Sequence, residues 1–189
     1  MRRQQPVGAT CRAATVDDAE AVAAVHADSW RRNYRGAYSD AYLDGPVFEE
    51  RSALWHERLA AADATARTVV AEVDGAVVGF THVIFDRDPS LGALVENLHV
   101  THGLKGHGIG TVLMAEAARV VATERPGSGL YLTVLEQNTA ARRFYAARGG
   151  AWVETRMGGP FPGGGRAPVL VMSWPEPSVL MAGPSELTG

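Results

Sequence analysis

The segment VENLHVTHGLKGHGIGTVLM, residues 95–114, joins a strand pattern to a helix pattern through a turn rich in glycine. The strand is predicted to end near Val100, and the helix is predicted to begin at about Gly108. Glycine lets backbone N–H groups approach an anion closely, and the N-terminus of a helix adds a partial positive charge. The segment therefore predicts a binding site for a phosphate or a pyrophosphate.

Two common nucleotide-binding motifs do not fit these glycines. A P-loop needs Gly-Lys followed by Ser or Thr, whereas Gly110 is followed by Thr111 and Val112. The dinucleotide fingerprint G-x-G-x-x-G fails because Leu113 or Thr111 stands where its third glycine is needed. ATP and NAD are therefore disfavoured as ligands. A tight strand-to-helix turn that binds no ligand also uses glycine. The four glycines at positions 103, 106, 108 and 110 are more than such a turn needs.

Strand and helix patterns alternate along the rest of the chain. Strands are predicted at residues 10–14, 68–73, 76–85, 94–100, 130–135, 151–157 and 169–174. Helices are predicted at residues 17–30, 47–62, 108–121 and 138–149. Asp74-Gly75 is a strong signal for a two-residue hairpin between the second and third strands. This order predicts an α/β fold.

Composition narrows the class of protein further. The 189 residues include 18 basic and 21 acidic side chains, and the net charge of −3 argues against a general nucleic-acid binder. A single cysteine, Cys11, excludes an internal disulfide framework and a multi-cysteine zinc site. No apolar run is long enough for a membrane span or a secretory signal. We expect a cytoplasmic protein with a flexible N-terminus (residues 1–9), one domain (residues 10–174) and a flexible tail (residues 175–189).

Two motifs resemble those of the GCN5-related N-acetyltransferases, the GNAT family. Residues 105–110, KGHGIG, are similar to the R/Q-x-x-G-x-G/A loop of that family, with Lys105 in place of Arg or Gln. Residues 138–149, NTAARRFYAARG, are similar to its N-x-x-A-x-x-(F/L)-Y-x-x-x-G segment. Gly150 follows where the family usually has Phe. The resemblance covers roughly residues 10–174.

The resemblance implies a fold and an activity. The fold is a central mixed, mostly antiparallel sheet of six to seven strands, flanked by about four helices. The activity is transfer of the acetyl group of acetyl-CoA to a primary amine of a small molecule, by direct attack in a ternary complex and with no metal. The fourth strand is expected to splay from the fifth and to pair with the pantetheine arm of the donor.

The resemblance also places the contacts with coenzyme A. They lie on the splayed strand, on the glycine loop and in the Asn-to-Gly motif. The expected residues are Leu98, His99, Val100, Lys105, Gly106, His107, Gly108, Ile109, Gly110, Thr111, Asn138 and Tyr145.

Two catalytic residues follow from the resemblance. Glu96 is expected to act as general base, commonly through a water molecule, although a glutamate in the middle of a strand can equally face solvent. Strict alternation puts Glu96 on the same face as Val100 and on the opposite face from His99, the second candidate base. Tyr145 is expected to protonate the coenzyme A thiolate, although an aromatic residue beside Phe144 is also typical of a core.

The sequence indicates the acceptor site less clearly than the donor site. Trp30, Tyr34 and Tyr38, together with Glu96, are expected to bind the acceptor, although Trp30 and Tyr34 also have the spacing of ordinary helix packing. The loop at residues 158–166, GGPFPGGGR, is expected to be flexible and to shape acceptor specificity. The histidines at positions 99, 102 and 107 fit no metal-binding motif.

The sequence is also compatible with other donors, other acceptors and a non-catalytic function. The same fold can use another acyl-CoA, a carrier protein or an aminoacyl-tRNA as donor, and an acidic protein is a poor match for tRNA unless Arg31, Arg32 and Arg35 form a basic patch. The acceptor can also be a protein or peptide amine. A non-catalytic acyl-CoA sensor is the weakest alternative, because both motifs are intact. The expected partner is a small-molecule amine. No membrane partner is expected, a nucleic acid is disfavoured, and the family resemblance suggests a homodimer.

Overall fold

The computed structural model describes residues 8–61 and 63–181, which form seven strands and five helices. The strands are β1 (Thr10–Ala13), β2 (Ala66–Val73), β3 (Ala76–Asp88), β4 (Gly92–Val100), β5 (Leu130–Leu135), β6 (Ala151–Gly158) and β7 (Ala167–Trp174). The helices are α1 (Ala19–Asn33), α2 (Asp40–Asp44), α3 (Val47–Ala60), α4 (Ile109–Glu124) and α5 (Thr139–Ala146).

The strands form one sheet in the order β1-β2-β3-β4-β5-β7-β6. Every neighbouring pair is antiparallel except β4 and β5, which run parallel. The α/β class and the mixed, mostly antiparallel sheet are therefore confirmed. Four of the five helices were predicted, and α2 was not, because its five residues are too few to show a helical period. Its Ser39 cap, which accepts a hydrogen bond from the Tyr42 N–H at 3.3 Å, is a weak signal in the sequence.

Helices cover both faces of the sheet. On one face, α1 and α3 bury Val22 and Trp55 against Phe80 of β3. On the other face, α4 buries Met114 against the central strands, and Leu113 packs with Val78. Because a sheet buried on both faces needs apolar residues on both, its central strands read as nearly continuous apolar runs.

Strands β4 and β5 are hydrogen-bonded neighbours over only a short length. Their paired residues are Ala93 with Leu130 and Leu94 with Tyr131. Beyond Leu94 the two strands diverge, while β3 stays paired with β4 as far as Val100 and β7 stays paired with β5 to its end. The expected splay of the fourth strand from the fifth is confirmed.

The C-terminal part of the chain packs more tightly than the sequence predicts. Residues Pro177–Leu180 form a 3-10 turn, and Leu180 is buried in the same core cluster as Met114 of α4. The first part of the predicted flexible tail therefore contains a turn anchored by a buried leucine, and the flexibility of the tail stays a prediction. Residues 182–189 of that tail, and residues 1–7 of the predicted flexible N-terminus, lie outside the described residues.

Close packing against Trp174 leaves room only for glycine at position 150. A Cβ atom there would come within 2.6 Å of Cζ2 of Trp174, which is buried at the end of β7. The Trp174 ring also donates a hydrogen bond to the Arg148 carbonyl at 2.8 Å and packs edge-on against Tyr145. Trp174 thus fills the space next to α5, which explains the departure from the Gly-Phe pair usual in the resembling family.

Candidate active site

A cleft with a volume of about 410 Å³ opens where β4 and β5 diverge. Its walls are the second half of β4, the second half of β5, the N-terminus of α4, one side of α5 and the end of α1. Most of the predicted site residues line it: Tyr34, Glu96, Leu98, His99, Val100, Lys105, Gly106, Gly108, Gly110, Thr111, Asn138 and Tyr145. The fold therefore brings together residues that lie far apart in the sequence.

Four predicted residues do not line the cleft with their side chains. The Ile109 side chain is buried and packs against Leu113 in the core, so it does not reach the cleft. Only its backbone N–H, in the first turn of α4, is left for a ligand. His107 is half-buried beside the loop, and Trp30 and Tyr38 are buried in an aromatic cluster next to Tyr34.

The glycine loop has the geometry of an anion cradle. Gly106 and Gly108 have φ values of +87° and +88°, which residues with a Cβ adopt only at a cost. A Cβ on Gly108 would have no atom within 4 Å, so it would project into open space at the start of α4. A Cβ on Gly110 would come within 3.1 Å of Phe144, so this glycine allows α4 and α5 to approach.

The first N–H groups of α4 have no helical acceptor, as at any helix N-terminus. The regular helical bonds begin with the Val112 N–H, which donates to the Gly108 carbonyl, and the Thr111 N–H donates to the same carbonyl. Within the described residues, the N–H groups of Ile109 and Gly110 have no backbone partner. Together with the helix dipole, these free donors favour a negatively charged ligand at the mouth of the loop.

Arg148 is a cleft residue that the sequence did not reveal. Its guanidinium donates hydrogen bonds to the Thr111 hydroxyl and to the Phe144 carbonyl, and lies 3.7 Å from the centre of the Phe144 ring. Among the described residues, no carboxylate lies within ion-pair distance, and desolvation lowers the pKa of Arg148. A half-buried cation beside the positive end of α4 is unfavourable unless an anion sits between them.

Two cleft tyrosines remain protonated. Burial raises the pKa of Tyr34 to about 12, and burial together with the nearby Tyr34 raises the pKa of Tyr145 well above its usual value. A tyrosine with a raised pKa keeps its proton at neutral pH and can donate it to a strong base.

Asn138, another cleft residue, also stabilises the start of α5. Its side-chain oxygen accepts a hydrogen bond from the Ala141 N–H at 3.1 Å and so caps the helix.

Glu96 lies at a β-bulge, which the sequence could not show. His82 of β3 pairs with Asn97 and Val83 pairs with Val95, so Glu96 is the extra residue between them. The bulge turns the Glu96 carboxylate toward α3, where it forms an ion pair with Arg58, and the Asn97 amide donates to it at 3.0 Å.

The bulge overturns the alternation argument for this strand. His99 packs against His26 of α1, and therefore contacts the same helical layer as Glu96. Val100 instead packs in the cluster of Ile109. The prediction that Glu96 shares a face with Val100 and opposes His99 is wrong, because an extra residue breaks the period of two.

His99 is unsuited to act as the base. Its Nδ1 lies 2.8 Å from the Ser29 hydroxyl, and burial lowers the pKa of His99 to about 3. A base with this pKa would be neutral at physiological pH and would hold an abstracted proton weakly. Its ring stacks on His26 at 4.7 Å, which is consistent with a packing role.

The three predicted aromatic acceptor residues, Trp30, Tyr34 and Tyr38, form one cluster with the loop at residues 158–166. Tyr38 packs edge-on against both Trp30 and Tyr34, with ring centres 4.9 Å apart in each case. Phe161 of the loop stacks on Tyr38 at 5.0 Å. Of these four aromatic residues, only Tyr34 lines the cleft. Trp30 and Tyr38 pack behind Tyr34, and Phe161 of the loop packs against Tyr38.

Neither a metal centre nor a membrane span emerges from residues 8–61 and 63–181. These residues contain no group of three or more His, Cys, Asp or Glu side chains placed to hold a metal ion. No helix among them is both long and apolar enough to cross a bilayer.

Comparison with known proteins connects this cleft to a family. The sequence model of the family described as "Acetyltransferase (GNAT) family" matches residues 16–150, which is more than half of the chain. A search among curated proteins gives no significant match.

Many solved structures share the fold. The PaiA N-acetyltransferase from Thermoplasma acidophilum, in complex with coenzyme A, is 20% identical with a TM-score of 0.70, over 88% of this chain and 98% of that one. YncA from Salmonella typhimurium, with its cofactor acetyl-CoA, is 18% identical with a TM-score of 0.65, over 88% and 93%. The ribosomal-protein-alanine N-acetyltransferase from Brucella melitensis is 23% identical with a TM-score of 0.66, over 87% and 98%. The predicted fold is confirmed.

The position of Arg148 leads to a first prediction. Inorganic pyrophosphate at millimolar concentration should raise the unfolding midpoint of the wild-type protein, and the rise should be reduced several-fold in Arg148→Met. Arg143→Met is the matched control, because Arg143 lies on α5, five residues before Arg148, but outside the cleft. Differential scanning fluorimetry measures both, and equal shifts in Arg148→Met and in the wild type would contradict an anion contact at Arg148.

Proposed function

Because the chain belongs to the GNAT acetyltransferase family, we propose that it transfers the acetyl group of acetyl-CoA to a primary amine of a small molecule. The observation that carries this proposal is the anion cradle of α4 at one end of a cleft between two diverging strands. The cradle suits the pyrophosphate of coenzyme A, and the cleft suits an extended chain that ends near Glu96 and Tyr145.

The free edge of β4 suits the pantetheine arm of the donor. From Val95 onward, β4 is paired on its β3 side only, so the backbone of Leu98 to Val100 is available to amide groups on its other side. The anion end is held by the N–H groups of the glycine loop, by Lys105 and by Arg148. Such a ligand connects all the cofactor residues that line the cleft.

Each proton in the reaction has a candidate carrier. Glu96 accepts the proton that the amine must lose before attack, directly or through a water molecule. A backbone N–H near Val100 stabilises the negative charge that develops on the acetyl oxygen. Tyr145 donates its proton to the sulfur of the departing thiolate, and its raised pKa keeps that proton in place beforehand. The Arg58–Glu96 ion pair opposes the first step, so the carboxylate must exchange Arg58 for the amine or a water.

The acceptor is proposed less specifically than the donor. A small amine fits beside Tyr34 and Glu96, where the aromatic cluster and the loop at residues 158–166 close the wall. A protein or peptide amine is the alternative, and the ribosomal-protein-alanine N-acetyltransferase of Brucella melitensis shares the fold. A cytoplasmic location stays a prediction from the sequence.

Donor binding is tested at Gly108. Acetyl-CoA at about 100 times its dissociation constant should stabilise the wild type by about 2.7 kcal/mol, whereas Gly108→Val should stay folded and show no such shift. The added side chain would be strained at positive φ and would project into the cradle. Gly103→Val is the control, since Gly103 does not line the cleft, has no positive φ, and leaves room for a side chain. Thermal unfolding with acetyl-CoA, coenzyme A, ATP and NAD measures the shifts, and normal binding by Gly108→Val would refute the cradle.

The general base is tested at Glu96. Glu96→Gln should lower turnover by about 10²–10³ and remove the acidic limb of the pH–rate profile, because the amide cannot take up a proton. Its coenzyme A affinity should stay close to that of the wild type. Steady-state kinetics between pH 5 and pH 9 provide the readout, and an unchanged profile would rule out Glu96 as the base.

The proton donor is tested at Tyr145. Tyr145→Phe should lower kcat by about 10-fold or more with little change in the affinity for coenzyme A, because only the hydroxyl is lost. Tyr131→Phe is the control, since Tyr131 is also a buried tyrosine but lies outside the cleft. Kinetics and isothermal titration distinguish the roles, and an equal loss of binding and turnover would make Tyr145 a structural residue.

A further inference from the structure

Strand β6 ends the sheet with an open edge. One side of β6 pairs with β7, and among the described residues no strand pairs with its other side. Every residue from Ala151 to Met157 is exposed. Three large apolar side chains of this strand face solvent, Trp152 at 65%, Val153 at 48% and Met157 at 60% exposure. An open edge with exposed apolar residues is a template for pairing with another strand.

The charges on β6 do not protect this edge. Proteins usually protect an open strand by charged side chains, by a bulge, or by a covering helix or loop, and charges of one sign also repel a second copy of the same strand. Here the only charged residues are Glu154 and Arg156, one of each sign, on the same face of the strand. The bulge at Val153 lies near the start of the strand, and the pairing with β7 is regular from Glu154 to Gly158.

We propose that β6 pairs with β6 of a second copy of this chain, antiparallel and centred on Thr155, so that the two sheets become one. In this register Glu154 lies opposite Arg156 of the second copy, and Arg156 lies opposite Glu154 of that copy. Opposite residues in an antiparallel pair have side chains on one face, about 4.5–5.5 Å apart at Cβ, so both charge pairs form contacts.

Symmetry excludes the neighbouring registers. Two identical antiparallel strands are related by a two-fold axis that lies between them, perpendicular to the sheet. Opposite residues share a face only when this axis lies midway between two copies of one residue, and each register is named below by that residue. An axis through Glu154 would place two glutamates opposite each other, and an axis through Arg156 would place two arginines opposite each other. Only the axis through Thr155 opposes unlike charges.

The proposal does not rest on the proposed activity. It follows from the sequence AWVETRMG of β6, the open edge and the exposure of its side chains. The strand lies apart from the cleft, because β7 separates it from β5. The second copy therefore leaves the cleft open.

Charge reversal tests the register. Glu154→Arg and Arg156→Glu should each weaken self-association by about tenfold or more, because each converts both symmetric charge pairs from attraction to repulsion. The double variant Glu154→Arg/Arg156→Glu should restore it. An equimolar mixture of the two single variants should also associate, since every 154–156 pair across that interface joins unlike charges. Glu57→Arg is the control, because Glu57 is an exposed glutamate of α3.

Sedimentation velocity over about 10–500 µM protein gives the dissociation constants, and circular dichroism checks that each variant is folded. Hydrogen exchange of the wild type should show protection of the outward β6 amides that increases with protein concentration. A wild type that stays at the mass of one chain throughout would overturn the proposal. So would a dimer that both single variants leave unchanged, or a double variant or mixture that fails to recover association.

Discussion

The divergence of β4 from β5 is the constraint on which the rest of the site depends. Strand β3 fixes one edge of β4 as far as Val100, and β7 fixes β5 to Leu135, so neither strand can turn to close the gap. The backbone groups that face the gap are left to water or to a ligand, and each buried polar group without a partner would cost about 1–3 kcal/mol. A chain of amides can replace the missing strand. The fold thereby converts a defect of the sheet into a binding edge.

Positive potential collects at one end of this gap. The free N–H groups of α4, Lys105 and Arg148 approach the same space, and Arg148 has no carboxylate to offset it among the described residues. The opposite end of the cleft has a different character, with Tyr34, Tyr145 and the Arg58–Glu96 ion pair. A ligand with an anionic end and an uncharged reactive end would be oriented by this contrast alone.

The sequence predicted the strand–loop–helix unit well, because glycine at positive φ and the change of hydrophobic period are both local signals. It could not predict the bulge at Glu96, since a single inserted residue leaves the apolar pattern of β4 almost intact. The sequence did not identify Arg148 as a cleft residue for another reason. Its role depends on Thr111 and Phe144 lying beside it, and an arginine near a helix end more often faces solvent. Helix α2 was too short for a periodic signal.

The contact between Gly150 and Trp174 links two positions that are far apart in the chain. Because the indole occupies the volume that a side chain at position 150 would need, neither position can change freely while the other stays as it is. A larger residue at 150 would collide with the ring, and a smaller one at 174 would leave a void beside Tyr145. The identity of the residue at position 150 is therefore an indirect record of the side chain at position 174, although 23 residues separate the two in the chain.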